Sequence, residues 1–157
     1  MLVIIIMGSP SDDPLGQQIV RALEELAIPW EMRVASAHKT PGYLLGLLEK
    51  YEADPRPKVY ITVAGRSNAL SGMVDAQVSA PVIACPPYSD KYAGGDLLSS
   101  LRTPSGVAPA MVLEPKNAAL LAAKILGLSN ADLCEKVRQA QEKQRQRLFE
   151  TDAALRE

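Results

Sequence analysis

The only histidine of the chain stands in Ser36-Ala37-His38-Lys39-Thr40-Pro41. An imidazole can move a proton near neutral pH, and the adjacent Lys39 could neutralise an anionic ligand. A β-type run, Trp30-Glu31-Met32-Arg33-Val34, leads into this stretch. Thr40 and Pro41 then read as the N-cap and first residue of a helix. His38 and Lys39 are therefore predicted at a strand-to-helix junction. In an α/β protein that is the carboxyl edge of the sheet, where ligands bind. Three other predicted junctions carry small, polar or glycine-rich loops. Gly8-Ser9-Pro10-Ser11-Asp12 offers hydroxyls and backbone N–H groups at a helix start, a setting that suits phosphate. Asp12 could accept hydrogen bonds from ribose hydroxyls. A plain helix cap would use the same residue types. Gly65-Arg66-Ser67-Asn68 adds a cation and two polar side chains, although an ordinary βα turn could look alike. Cys85 has no second histidine to activate it and reads as a small buried residue.

The totals narrow the function classes. A chain of 157 residues is one domain, large enough for a proper core. A net charge of -1 argues against a nucleic-acid scaffold. Cys85 and Cys134 lie far apart, forming neither a metal-ligand pair nor a disulfide framework, which fits a cytoplasmic protein. The apolar run Leu2 to Met7 is too short to cross a membrane, so no membrane association is expected. No cluster has metal-ligand spacing, and neither G-x-G-x-x-G nor G-x-x-x-x-G-K-[ST] occurs.

The elements that must hold these loops follow from periodicity. Leu2 to Met7 is continuously apolar, as in a central strand buried on both faces. Pro14 opens a helix whose Leu15, Ile19, Ala22, Leu23 and Leu26 share one face. The second strand spans 30–35, and the second helix, from Thr40, buries Leu44, Leu47, Leu48 and Tyr51. Strands follow at 59–64, 81–84 and 110–113. A short helix follows Asn68, another is expected around 97–101, and an alanine-rich helix spans 116–128. Between strand four and the helix near Leu97 lies a long Pro- and Gly-rich loop, of a kind that is often functional. Alternating strands and helices predict a three-layer, flavodoxin-like or Rossmann-like α/β fold. Its parallel five-stranded sheet has the order 2-1-3-4-5. The first and third strands then flank a crevice between Gly8–Asp13 and Gly65–Asn68. We read 1–128 as the α/β domain and 129–157 as a helical arm of the same domain. The arm's thin stripe of Leu133, Val137, Ala140, Leu148 and Leu155 suits contact with a neighbouring subunit better than a free tail.

Six segments in register resemble the aminoimidazole ribonucleotide carboxylase (PurE) family of purine biosynthesis. They are Met7-Gly8-Ser9-Pro10-Ser11-Asp12, Ser36-Ala37-His38-Lys39-Thr40-Pro41, Ala64-Gly65-Arg66-Ser67-Asn68, Pro81 to Pro87, Ser99 to Gly106, and Ala118 to Asn130. His38-Lys39, Ala64 to Asn68 and Cys85-Pro86-Pro87 look like the class that uses free CO2. Lys116 to Leu121 looks more like the mutase class. The resemblance implies reversible carboxylation of 5-aminoimidazole ribonucleotide to 4-carboxy-5-aminoimidazole ribonucleotide, without ATP, biotin, metal or other cofactor. It implies His38 and Lys39 as catalytic residues. It places the nucleotide against Gly8, Ser9, Ser11, Asp12, Ser36, Ala37, Lys39, Ala64, Gly65 and Arg66, and CO2 against Gly65, Ser67 and Asn68. It further implies a homo-oligomer, tetramer or octamer. Two alternatives stay open: an N-carboxyaminoimidazole ribonucleotide mutase on the same scaffold, and a non-catalytic nucleotide-binding module.

Overall fold

The structure, a computed structural model, describes residues 1–156. Five parallel strands form one sheet: β1 (Leu2–Met7), β2 (Trp30–Val34), β3 (Lys58–Val63), β4 (Val82–Ala84) and β5 (Ala110–Met111). Their order is β2-β1-β3-β4-β5, the order expected from the sequence. The helices are α1 (Asp13–Glu25), α2 (Pro41–Glu52), α3 (Ala69–Asp75), α4 (Pro115–Gly127) and α5 (Ala131–Ala154).

The two-residue period of a strand explains both sides of the core. Val3, Ile5 and Met7 of β1, with Val59, Ile61 and Val63 of β3, pack with Ile19 and Leu23 of α1 and Ala118 and Ala122 of α4. Leu2, Ile4 and Ile6, with Tyr60, pack with Leu44, Leu47 and Leu48 of α2 and Leu70 and Val74 of α3. Both faces are covered by helices, so β1 has no polar position at all. Register between β1 and β3 runs from Leu2 opposite Lys58 to Met7 opposite Val63. The two strands therefore end level, and the loops that leave them start side by side.

Three details depart from the sequence reading. A 3-10 turn, Pro10–Asp12, precedes α1. β5 has only two residues, because just Ala110 and Met111 find partners on β4. The helix expected around 97–101 belongs to a 3-10 segment, Lys91–Ser100, broken where Tyr92, Ala93 and Gly94 take left-handed backbone angles. Two consecutive non-glycine residues with positive φ cannot continue a right-handed helix.

The polar C-terminal stretch is a 24-residue helix, α5, capped by the Asn130 side chain, which accepts from the Leu133 N–H at 2.8 Å. Leu133 and Val137 join the core on the α1–α4 face. Past Val137 the apolar side chains Leu148, Phe149 and Leu155 are exposed.

Candidate active site

Four loops at the carboxyl edge of the sheet enclose a cleft of about 510 Å³. The first follows β1. Gly8 donates its N–H to Val63 O at 2.9 Å, which ties the loop to the end of β3. A Cβ at Gly8 would sit 3.1 Å from Ala64 Cβ, so this close crossing favours glycine. Ser9 and Asp12 form a reciprocal cap. Ser9 N–H donates to Asp12 Oδ2 at 3.0 Å, and Ser9 Oγ accepts from the Ser11 N–H at 3.3 Å and the Ser11 hydroxyl at 2.9 Å. The Asp12 carboxyl is pushed above its ordinary value by burial, against the Ser9 N–H and the Arg66 charge that pull it down. The cap itself walls the cleft, since Gly8, Ser9, Ser11 and Asp12 all line it.

The second loop closes on itself. Thr40 Oγ1 accepts from the Ser36 N–H at 3.0 Å, and Lys39 N–H donates to Ser36 Oγ at 3.2 Å. Thr40 occupies the cap position of α2 but makes no side-chain cap bond there, because its hydroxyl is spent on Ser36. The result is a rigid turn with Ala37, His38 and Lys39 facing the cleft. The His38 imidazole is exposed and has no hydrogen-bond partner among the described residues, so it is free to meet a ligand. It lies at the same sheet edge as Gly8 and Gly65, not in the hydrophobic interior.

The third loop follows β3. Ala64, Gly65, Arg66 and Ser67 line the cleft. Arg66 is left-handed, with φ 58°. The N–H groups of Gly65, Arg66 and Ser67 make no hydrogen bond to other described residues. These unpaired N–H groups at the cleft leave donors available to an anion. Asn68 differs from its neighbours. It is buried, its Oδ1 accepts from the Ser71 N–H at 3.2 Å as the cap of α3, and its Nδ2 donates to Ser100 Oγ at 2.9 Å. The structure therefore does not bring its side chain into the cleft with the others.

The fourth loop contributes Pro87, of the Cys85-Pro86-Pro87 stretch, and three residues that sequence reasoning did not single out: Ser89, Lys91 and Asp96. Pro87 Cγ stands 3.0 Å from where a Gly65 Cβ would be, so the third and fourth loops touch. The only signal for Ser89, Lys91 and Asp96 was the length and the Pro and Gly content of the loop. Cys85, at its start, is buried against Leu113 O at 3.7 Å, and burial, with Glu114 nearby, pushes its thiol up to about 12. It is inert at neutral pH.

Three cations, Lys39, Arg66 and Lys91, face two carboxylates, Asp12 and Asp96, so the cleft favours an anionic ligand. Among the described residues no group of three or more His, Cys, Asp or Glu could hold a metal ion.

The fold and cleft define a doubly wound α/β protein with an open cleft at its topological switch point, the place where ligands bind in such folds. Residues 2–147 match the family model described as AIR carboxylase, and the chain belongs to that family. It is 51% identical over 155 residues to the phosphoribosylaminoimidazole carboxylase of Treponema denticola, covering 99% of this chain and 98% of that one. It is 52% identical over 156 residues to the enzyme of the same name from Archaeoglobus fulgidus, covering 99% and 86%. Human bifunctional phosphoribosylaminoimidazole carboxylase/phosphoribosylaminoimidazole succinocarboxamide synthetase is 43% identical over 136 residues, 87% of this chain but 32% of that longer protein. The crystal structure of Treponema denticola PurE superposes with a TM-score of 0.98 over 99% of both chains.

Proposed function

We propose that this chain carboxylates 5-aminoimidazole ribonucleotide with CO2 to give 4-carboxy-5-aminoimidazole ribonucleotide, reversibly, in purine biosynthesis. One observation carries the mechanism: an uncommitted imidazole, His38, stands in the same cleft as a phosphate-suited helix start and a run of free backbone N–H groups.

The ribonucleotide phosphate lies against the Ser9, Ser11 and Ser36 hydroxyls, the Ala37 backbone and Lys39. Asp12 accepts from the ribose hydroxyls, while Ala64 and Arg66 wall the base. The Gly65 and Ser67 N–H groups receive the CO2 oxygens. Asn68 serves that subsite indirectly, by capping α3 with its side chain.

The electron-rich ring carbon attacks CO2, forming the carbon–carbon bond while one C=O pair moves onto oxygen. The ring carbon then bears both a hydrogen and the new carboxylate, and the ring carries positive charge. His38 takes that hydrogen as a proton, and the C–H pair restores aromaticity. In reverse, His38 protonates the carbon and CO2 leaves. Each step needs orientation and proton transfer, so the protein's own groups suffice.

His38→Asn should abolish turnover yet keep ribonucleotide affinity within about threefold, a difference of roughly 0.7 kcal/mol. Stopped turnover with intact binding is measured by the ultraviolet absorbance change as the ring gains or loses its conjugated carboxylate, beside calorimetric titration. Near-normal turnover by this variant would remove His38 from the mechanism. Turnover by the unaltered chain only with the N-carboxy ribonucleotide, and none with CO2, would assign the mutase instead. Tight binding without any chemistry would leave a nucleotide-binding module.

The same reading includes a homo-oligomer, tetramer or octamer, built by residues 1–128 with residues 129–157 as a contact arm. The exposed Leu148, Phe149 and Leu155 on α5 support it. A cytoplasmic location fits a small-molecule biosynthetic enzyme, and among the described residues no helix is long and apolar enough to cross a membrane.

A further inference from the structure

We propose that Ser99 is a positioning residue for carboxylation, its hydroxyl holding Gly65-Arg66-Ser67 in the turn that receives CO2. This rests on the carboxylase reading above.

The turn is not self-supporting. Arg66 sits at φ 58°, a region that side chains with a Cβ avoid. Nothing inside the turn holds the Arg66 carbonyl. Ser99, thirty-three residues further along the chain, does so by donating its hydroxyl to Arg66 O at 2.9 Å. Ser99 Oγ in turn accepts from the Asn68 N–H at 3.0 Å. One hydroxyl therefore bridges both ends of the turn and leaves the intervening Ser67 N–H unpaired.

That hydroxyl also lies 2.7 Å from Asp96 O. A serine hydroxyl has one hydrogen, so the two carbonyls compete for it. Asp96 lines the cleft on the fourth loop. Ser99 thus latches the loop bearing Lys91 and Asp96 to the turn bearing Gly65 and Ser67. Removing the hydroxyl frees Arg66 to relax out of its left-handed angle, and the N–H groups on either side rotate with it. The phosphate end of the cleft shares no hydrogen bond with Ser99.

The test compares Ser99→Ala, Ser99→Thr and Ser99→Cys in the full chain. Turnover is measured against CO2 concentration at saturating 5-aminoimidazole ribonucleotide, beside the dissociation constant of that ribonucleotide and the thermal midpoint. Ser99→Ala should lower kcat/KM for CO2 about tenfold, as expected for a lost hydrogen bond that orients a reacting group. Ribonucleotide affinity should stay within about twofold. Ser99→Thr, whose methyl group has room because Ser99 is exposed, should recover activity to within about threefold. Should Ser99→Ala fail to fold, Ser99→Cys, a near-isostere with a weak donor, carries the same measurement. Unchanged kcat/KM for CO2, a parallel loss of ribonucleotide affinity, or Ser99→Thr as impaired as Ser99→Ala would each overturn the proposal. If the unaltered chain turns over no ribonucleotide with CO2, the carboxylase reading fails and this one with it. An active parent with an unaffected Ser99→Ala overturns only the role of Ser99.

Discussion

Tyr60, wholly buried in the central strand β3, donates its hydroxyl to Glu52 Oε1 at 3.0 Å. The other oxygen of Glu52 accepts from the Ser79 N–H at 3.0 Å and the Ser79 hydroxyl at 2.9 Å. One carboxylate at the end of α2 therefore pins the sheet interior and the approach to β4 together. Tyr51 stands edge-on to Tyr60, with ring centroids 6.4 Å apart, and donates to Glu31 Oε2 at 2.7 Å.

Removing the acceptor should cost more than removing the donor. Glu52→Ala strands a buried phenol and should lose about 2 kcal/mol, whereas Tyr60→Phe leaves Glu52 bonded to Ser79 and should lose about 1 kcal/mol. Burial raises the Glu52 carboxyl, but the bonds from Ser79 and Tyr60 and the charge of Lys58 outweigh it and hold the group below its ordinary 4.5. The sign follows: the charged form is favoured in the fold, so its contribution is present above 4.5 and is lost as pH falls through the folded-state value. Urea denaturation should show the gap between the parent chain and Glu52→Ala narrowing below pH 4.5. A constant gap down to pH 3 would contradict this.

Asp12 has the opposite sign. Its folded-state value is raised, chiefly by burial, so ionisation weakens the fold. The penalty is absent below the ordinary value of 3.8 and grows as pH rises through the folded-state value. Asp12→Asn keeps an oxygen to accept the Ser9 N–H while removing the charge. At neutral pH it should be at least as stable as the parent. It should also bind ribonucleotide about tenfold more weakly, as expected when a charge-assisted bond to a ribose hydroxyl is lost. Denaturant midpoints at pH 3.5 and 7, beside calorimetric titration, check both halves. A variant less stable at neutral pH with unimpaired binding would reverse the account.

How much of this was legible in the sequence depends on which interactions are local. β1 and β3 were readable because burial on both faces leaves an unbroken apolar run, and α2 because Thr40-Pro41 marks its start. The sheet order and the meeting of the Gly8, His38 and Gly65 loops follow from chain topology alone. Lys91 and Asp96 were not readable, because left-handed Tyr92 and Ala93 set the path of their loop and have no periodic signature. Asn68 shows a different limit. Its type and place fit a ligand-binding loop equally well, yet its amide caps α3 and meets Ser100, a residue distant in sequence. Non-local hydrogen bonds decide such cases, and no window of sequence contains both partners.

The C-terminal helix is buried only in its first half. Leu133 and Val137 are buried against α4 and the core, so Val137→Ala should lower stability by about 1 kcal/mol, in the range of a small core truncation, without altering assembly. Leu148 and Phe149 are exposed at 69% and 64%, on a stretch of α5 with little else apolar. Ion pairs within the helix, such as Arg145 with Glu142 at 2.5 Å, add about 0.2–0.5 kcal/mol each, and the largely exposed Leu148 and Phe149 add little to the subunit's own packing. Leu148→Glu with Phe149→Glu should therefore leave helicity and thermal unfolding of the subunit largely intact while lowering the mass measured by light scattering. Full assembly by the double variant would free α5 of any part in the oligomer. Loss of helicity together with assembly would mean that this half of α5 is ordered only by its neighbour.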